Sequence, residues 1–110
     1  MPAVARDGDS VMSQDGKGYK CQVPMETTTG EFSDKVHVDG KGVVCEGMAV
    51  KPHSAASPQP CTTDLGKLTT FSSKVKIGGK GVGRVGDKYT APRQAQNIIS
   101  QGSSNVFVGG

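Results

Sequence analysis

The chain repeats itself, and the repeat decides what it can fold into. Residues 32–50, FSDKVHVDGKGVVCEGMAV, align without a gap to residues 71–89, FSSKVKIGGKGVGRVGDKY, with nine of nineteen positions identical. The period of 39 takes Phe32 to Phe71, Val36 to Val75, Gly40 to Gly79 and Gly47 to Gly86. A third copy is present but cut in two. The N-terminal VARDGD (4–9) matches VGRVGD (82–87) at Val, Arg, Gly and Asp, and the C-terminal SSNVFVGG (103–110) matches SSKVKIGG (72–79). The first half of this copy is the C-terminus and its second half is the N-terminus.

Each copy has the pattern of a β-hairpin. Val36/Val38 and Val75/Ile77 alternate at period two and lead into the dipeptides Asp39-Gly40 and Gly78-Gly79. Both dipeptides favour a type I′ turn, in which φ is positive at both central residues. That turn sets Val36 opposite Val43 and Val75 opposite Val82, giving each hairpin an apolar face. The split copy requires residues 103–110 to pair with 3–9. A lone hairpin is marginal in water, but three around a pseudo-threefold axis can share a thin Val/Ile core and leave little open edge. The expected fold is all-β: a compact cone of three hairpins, one built from both termini. The connecting segments 10–31, 49–70 and 88–101 all leave from the end opposite the turns.

Composition bears on the same question. A chain of 110 residues is one small domain and buries only ~65% of the surface its unfolded form exposes. Just 34% of residues are hydrophobic, with no Trp and five aromatic residues. The 16 glycines are about twice the usual share of roughly 7%. Such numbers suit either a disordered chain or a turn-rich β fold, and a repeat that keeps its β-branched residues in register selects the second. The net charge of +3, from 13 basic and 10 acidic residues, is mild and mixed, and no basic cluster is interleaved with aromatics as nucleic-acid binding would need. No apolar run approaches the ~20 residues of a membrane span. MPAVARDGDS has no apolar stretch of the kind a signal peptide carries. Three cysteines are an odd number for a disulfide framework, which leaves metal binding or free thiols.

The segments AVARDGD (3–9), GKGVGRVGDK (79–88) and ISQGSSNVFVGG (99–110) resemble the PAAR-repeat proteins, named for a Pro-Ala-Ala-Arg motif. These are tip proteins of contractile injection machines, in phage tails and bacterial type VI secretion systems. The resemblance covers essentially the whole chain, read as a single PAAR-like domain over 1–110. There are departures. No copy spells the motif literally, Ser104 stands where the family usually has Pro, and the central copy reads VVCEGM, without the Arg and Asp. The resemblance implies a short cone seated on the blunt end of a homotrimeric β-helical spike, one copy per trimer, meeting the target membrane only transiently. A monomer with three similar faces suits a threefold partner. Localisation would be a virion tail tip, or the cytoplasm followed by export through an injection system.

The resemblance also implies a metal ion near the apex, held by Cys and His. The candidates are Cys21 in the first connecting segment and His53 and Cys61 in the second. Thiolate and imidazole together suit Zn²⁺ or Fe²⁺. The third segment offers no ligand beyond Asn97, so a fourth is missing, and Cys45 is a further candidate for that place. Against this stands the plain reading of free thiols and a loop histidine, with a Cys21–Cys61 disulfide as a third. Cys45 is equivalent to Arg6 and Arg84, which points to a structural layer instead. His37 is expected on the outside, at the turn end. The glycine-rich GGKGVG (78–83) lacks the phosphate-loop motif and lies on a hairpin turn. Arg6 and Arg84 are expected to pair with Asp9 and Asp87.

Three functional classes follow. The first is a non-enzymatic tip that caps and sharpens the spike and helps to pierce the target envelope. The second is an adaptor carrying separately encoded cargo; both termini fall inside a repeat, so no fused toxin is expected. The third is a small metal-dependent hydrolase. It would need an activated water and a general base, and neither histidine is placed as one.

Overall fold

The computed structural model describes residues 2–17, 24–51, 54–55, 61–62, 66–90 and 97–109. The described residues contain no helix, and every strand pairing is antiparallel. In chain order the strands are β1 (Ser10–Lys17), β2 (Pro24–Thr28), β3 (His37–Val38), β4 (Lys41–Gly42), β5 (Ser54–Ala55) and β6 (Cys61–Thr62). They continue with β7 (Lys67–Leu68), β8 (Lys76–Ile77), β9 (Lys80–Gly81), β10 (Lys88–Thr90) and β11 (Asn97–Ile99).

The repeats fold as the expected hairpins. β3 pairs with β4 and β8 with β9 in the same register, His37 opposite Gly42 and Lys76 opposite Gly81. φ is 55° at Asp39, 77° at Gly40, 59° at Gly78 and 82° at Gly79, the left-handed pair that a type I′ turn demands. The third hairpin closes across the termini. Ala3 bridges Phe107, Val4 N–H donates to Val106 C=O at 3.0 Å, and Val108 N–H donates to Pro2 C=O at 3.0 Å.

The three hairpins meet on the axis through a ring of backbone hydrogen bonds. Ala5 N–H donates to Gly83 C=O (2.9 Å), Gly83 N–H to Val44 C=O (2.8 Å), and Val44 N–H to Ala5 C=O (3.1 Å). Around this ring Val4 bridges Arg84, Val82 bridges Cys45 and Val43 bridges Arg6. Each copy therefore donates to one neighbour and accepts from the other, and the pseudo-threefold symmetry is satisfied bond by bond.

Side-chain volume is rebalanced between copies. A Cβ at Gly42 would fall on the Phe32 ring and the Ser33 carbonyl, and one at Gly81 on the Phe71 ring and the Ser72 carbonyl. Those two copies place a ring over a glycine. The split copy exchanges the pair, with Gly102 against Ala3.

The connecting segments are more than links, which corrects the picture of a thin core shared by hairpins alone. They form a five-stranded sheet in the order β2-β1-β11-β10-β7. Bridges from Ala49 to Lys67 and from Thr29 to Val50 join its two ends through residues 49–50, so the sheet closes on itself there. A separate hairpin of β5 and β6 lies within the second segment. Inside the closed sheet sits the larger apolar cluster: Ala5, Val11, Val44, Val50, Leu68, Tyr89 and Ile99. The smaller cluster, Val4, Val43, Cys45 and Val82, lies on the hairpin side. The molecule measures 41 Å along its long axis and 23 Å in both other directions.

Candidate functional site

At the turn end, the apolar faces of the hairpins converge without meeting. Three triads line a concavity of about 180 Å³: Val4, Val43 and Val82 at its floor; Val38, Ile77 and Val108 at mid-height; Val36, Val75 and Val106 at its mouth. Each triad takes one residue from each copy. The floor is buried, at 1–2% exposure, whereas the mouth residues are 38–40% exposed. The sequence reading placed Val36 and Val75 on the inner face correctly, but their side chains stay open to solvent. Three β-branched side chains splayed around an axis leave a gap, which among the described residues is lined by valine and isoleucine alone.

Each copy then turns a corner. At two of the three corners an arginine, buried at Arg6 and half-buried at Arg84, meets a buried aspartate. The Arg6 backbone N–H donates to Asp9 Oδ2 (2.7 Å), its Nε to the same oxygen (3.1 Å) and its Nη2 to Oδ1 (2.9 Å). Arg84 repeats this on Asp87 at 2.8, 3.0 and 3.1 Å. The pairs expected from the sequence are therefore made. The carboxylates raise both guanidinium pKa values above their ordinary level, against the cost of burial.

Arg6 reaches further. Its Nη1 donates to Asp39 Oδ2 of the first hairpin's turn at 2.7 Å, and its Nη2 to Gly102 C=O at 3.3 Å. Asp39 also accepts from Ser103 Oγ (2.7 Å) and Asn105 Nδ2 (2.9 Å). This clasp ties the first hairpin to both halves of the split copy. The hydrogen bonds from Asn105 and Ser103, with Arg6 beside them, hold the Asp39 carboxyl below its usual pKa. At the equivalent place Ser72 Oγ donates to Gly109 C=O at 2.7 Å.

The third corner has no ion pair. Cys45 and Met48 stand where the others have Arg and Asp, and the Cys45 N–H points to Met48 Sδ at 3.2 Å. Without a guanidinium to fill it, the space between the first and second hairpins is a notch of about 280 Å³, lined by Phe32, Cys45, Met48 and Ile77 with Lys35 and Lys80 at its mouth. Burial pushes the Cys45 thiol pKa up, with Lys80 opposing. The missing Arg and Asp of VVCEGM were the legible signal for this notch.

The expected metal ligands are placed unevenly. Cys21 and His53 lie outside the described residues. Cys61 stands on β6, opposite Ala55. Cys45 is a buried free cysteine in the hairpin-side cluster with Val4, Val43 and Val82, the structural layer its equivalence to Arg6 and Arg84 suggested. Asn97 is buried on β11 opposite Tyr89. Among the described residues no three Cys, His, Asp or Glu side chains gather as a metal site. His37 is exposed at the turn end, as expected, as are its equivalents Lys76 and Phe107.

Residues 59–110 match the PAAR motif family model. The match runs from the second connecting segment through the second hairpin to the C-terminal half of the split copy. Neither the comparison with curated proteins nor that with solved structures gave a match. Proteins with this motif are spike-tip components of contractile injection systems, associate with a spike and bind a metal ion in general terms. Residues 2–51 lie outside the matched segment, yet they repeat the same hairpin, corner and axial hydrogen bonds. Over residues 59–110, a little under half of its length, the chain carries the PAAR motif, which supports membership of the PAAR-repeat family.

Proposed function

We propose that this protein caps a homotrimeric β-helical spike, one copy per trimer, with its nine-residue apolar concavity seated on the spike's blunt end. The observation that supports this is the composition of that concavity: three Val/Ile triads, one residue from each copy in each, open on the pseudo-threefold axis. An apolar surface left open on a small protein marks a contact site, and threefold spacing suits a threefold partner. The cap needs no enzymatic step. It needs a shape that holds under force, and a closed sheet locked by an axial ring of hydrogen bonds suits that task.

The rims of the three hairpins differ while a homotrimer's rims are identical. Turning the spike by one subunit reproduces the same complex, so each spike subunit must accept all three rims. The shared triads, rather than the rims, then carry the affinity. Introducing aspartate at Val75 or Val106 leaves the fold intact, because both side chains are already half open, and weakens binding to the spike trimer by about a hundredfold. Light scattering on the mixture reads the complex as three spike chains to one cap. Full binding by both variants overturns the docking face.

At the other end, Cys21, His53 and Cys61 would hold one Zn or Fe ion that ties the first and second connecting segments together. Elemental analysis of untagged protein tests this: near one equivalent of metal is expected, lost in Cys21→Ser, His53→Ala and Cys61→Ser. Retention in all three variants sinks this ligand set.

A further inference from the structure

The notch between the first and second hairpins is a feature that a symmetric partner cannot use. The two equivalent corners hold the side chains of Arg6 and Arg84; this one holds Cys45 and Met48 and leaves a cavity. A homotrimer on the axis presents the same surface to all three corners, so a property of one corner in three is addressable only by a partner that binds one to one. We propose that this notch docks a single acidic segment of a monomeric protein partner, which seats one apolar side chain against Cys45, Met48 and Ile77. The symmetry step rests on the spike-cap reading; the remaining steps rest on the notch itself.

Size and softness point to the apolar part. At about 280 Å³ the notch falls below the roughly 300–1,000 Å³ of small-molecule sites, and it suits one inserted side chain. Methionine adapts to varied apolar shapes, and the raised pKa keeps Cys45 a neutral thiol, so the floor carries no charge to be buried.

Charge points to the acidic part. Lys35 and Lys80 flank the mouth, with Asp34 beside them and Glu46 nearby, its carboxylate accepting from the Gly81 N–H at 3.4 Å. Lys41, Lys74 and Lys76 are exposed on the same two hairpins. Among the described residues none of these lysines is held in an ion pair. The split copy carries no charged residue over 103–109, so the lysines of the three hairpins belong to the first and second copies. The notch is a side feature, distinct from the concavity of the three triads, and a partner there would leave that concavity free.

The test uses the full chain and needs no spike. Blocked pentapeptides are titrated in by NMR: Glu-Asp-Leu-Asp-Glu, the same with Ser for Leu, and Lys-Arg-Leu-Arg-Lys. The acidic leucine peptide is expected to saturate one to one at millimolar concentration, shifting Cys45, Met48 and Ile77 resonances. Replacing its leucine weakens binding about tenfold, and the basic peptide shows no saturation. The double variant Lys35→Glu/Lys80→Glu, on exposed sites, weakens the acidic peptide about fivefold. Cys45→Arg/Met48→Asp, which refills the notch, abolishes binding. The proposal is overturned by no saturable shift at the notch, by equal binding of the serine or basic peptide, or by binding that survives a folded Cys45→Arg/Met48→Asp protein. Because spike binding is measured separately, the two readings fail independently.

Discussion

Two corners of this molecule are held by an arginine–aspartate pair, and the third, built on the same backbone, by a cysteine and a methionine. The backbone turn is the same in all three. Asp9, Asp87 and Met48 donate their N–H to the carbonyls of Arg6, Arg84 and Cys45 at 3.1, 2.9 and 3.2 Å. The glycines between them, Gly8, Gly86 and Gly47, have φ of 82°, 91° and 78°, a conformation open to glycine and costly for most other residues. The ion pair is therefore not what bends the chain. Glycine and the axial hydrogen-bond ring do that, and the ion pair fills the corner. Even the donor–acceptor pattern survives in weaker form, with a thioether accepting from the Cys45 N–H in place of a carboxylate.

The largest effect should come from breaking the better-connected corner. Arg6→Ala strands Asp9, which is 1% exposed, and removes a partner of Asp39 and of the Gly102 carbonyl. A loss of about 3–5 kcal/mol is expected by urea unfolding. Arg84 bonds to Asp87 alone among the described residues, so Arg84→Ala should cost about 2–3 kcal/mol. Equal losses would mean that the link to Asp39 adds nothing.

Next in size is the exchange of ring and glycine between copies. Gly42→Ala or Gly81→Ala drives a methyl into a phenyl ring and a carbonyl and should cost about 1–3 kcal/mol. Ala3→Gly, at the equivalent place in the split copy, should cost less than about 1 kcal/mol. If alanine is tolerated at Gly42, the rings are not packed on the strands as described.

Restoring the motif at the third corner sharpens the comparison further. Cys45→Arg/Met48→Asp should fold and change stability by no more than about 1 kcal/mol, since the desolvation of both charges offsets their attraction. A crystal structure should show the new guanidinium in the notch. A gain as large as the loss at Arg6 would show that the ion pair, not the backbone, sets the corner's stability.

The smallest effect concerns pH. Asp39 has its pKa lowered by Asn105, Ser103 and Arg6, so its contribution is complete above the unfolded value of about 3.9 and fades as pH falls through the lowered folded value. Asp39→Asn keeps a residue that tolerates the turn's φ of 55°. The stability gap between the parent protein and this variant should be constant from neutral pH to about pH 4 and shrink below it. A gap independent of pH would assign the effect to the turn and not to the charge.

Much of this was legible in residue types alone. Asp39-Gly40 and Gly78-Gly79 demanded their turns, the turns fixed the register, and the cut third copy fixed the pairing of the termini. Arg6–Asp9 and Arg84–Asp87 were legible because residues three apart across a glycine turn are local. The closed sheet was not. Val11, Leu68, Tyr89 and Ile99 come from separate segments, each too short for its alternation to stand out, and they form strands because neighbours pair with them. Asp39's reach to Arg6 and Asn105 spans 33 and 66 residues, and nothing local announces it.

The sequence by itself determined the number of copies, their hairpin form and the axis they share, because turn chemistry and period-two patterning act over a few bonds. Only the tertiary structure decided which apolar residues stay open. Val36, Val75 and Val106 have the same local pattern as the buried Val43 and Val82, and their exposure follows from how far three hairpins splay around one axis. The same holds for the notch: the lost arginine is visible in the sequence, but whether a neighbour closes over the gap depends on packing between copies, and here none does.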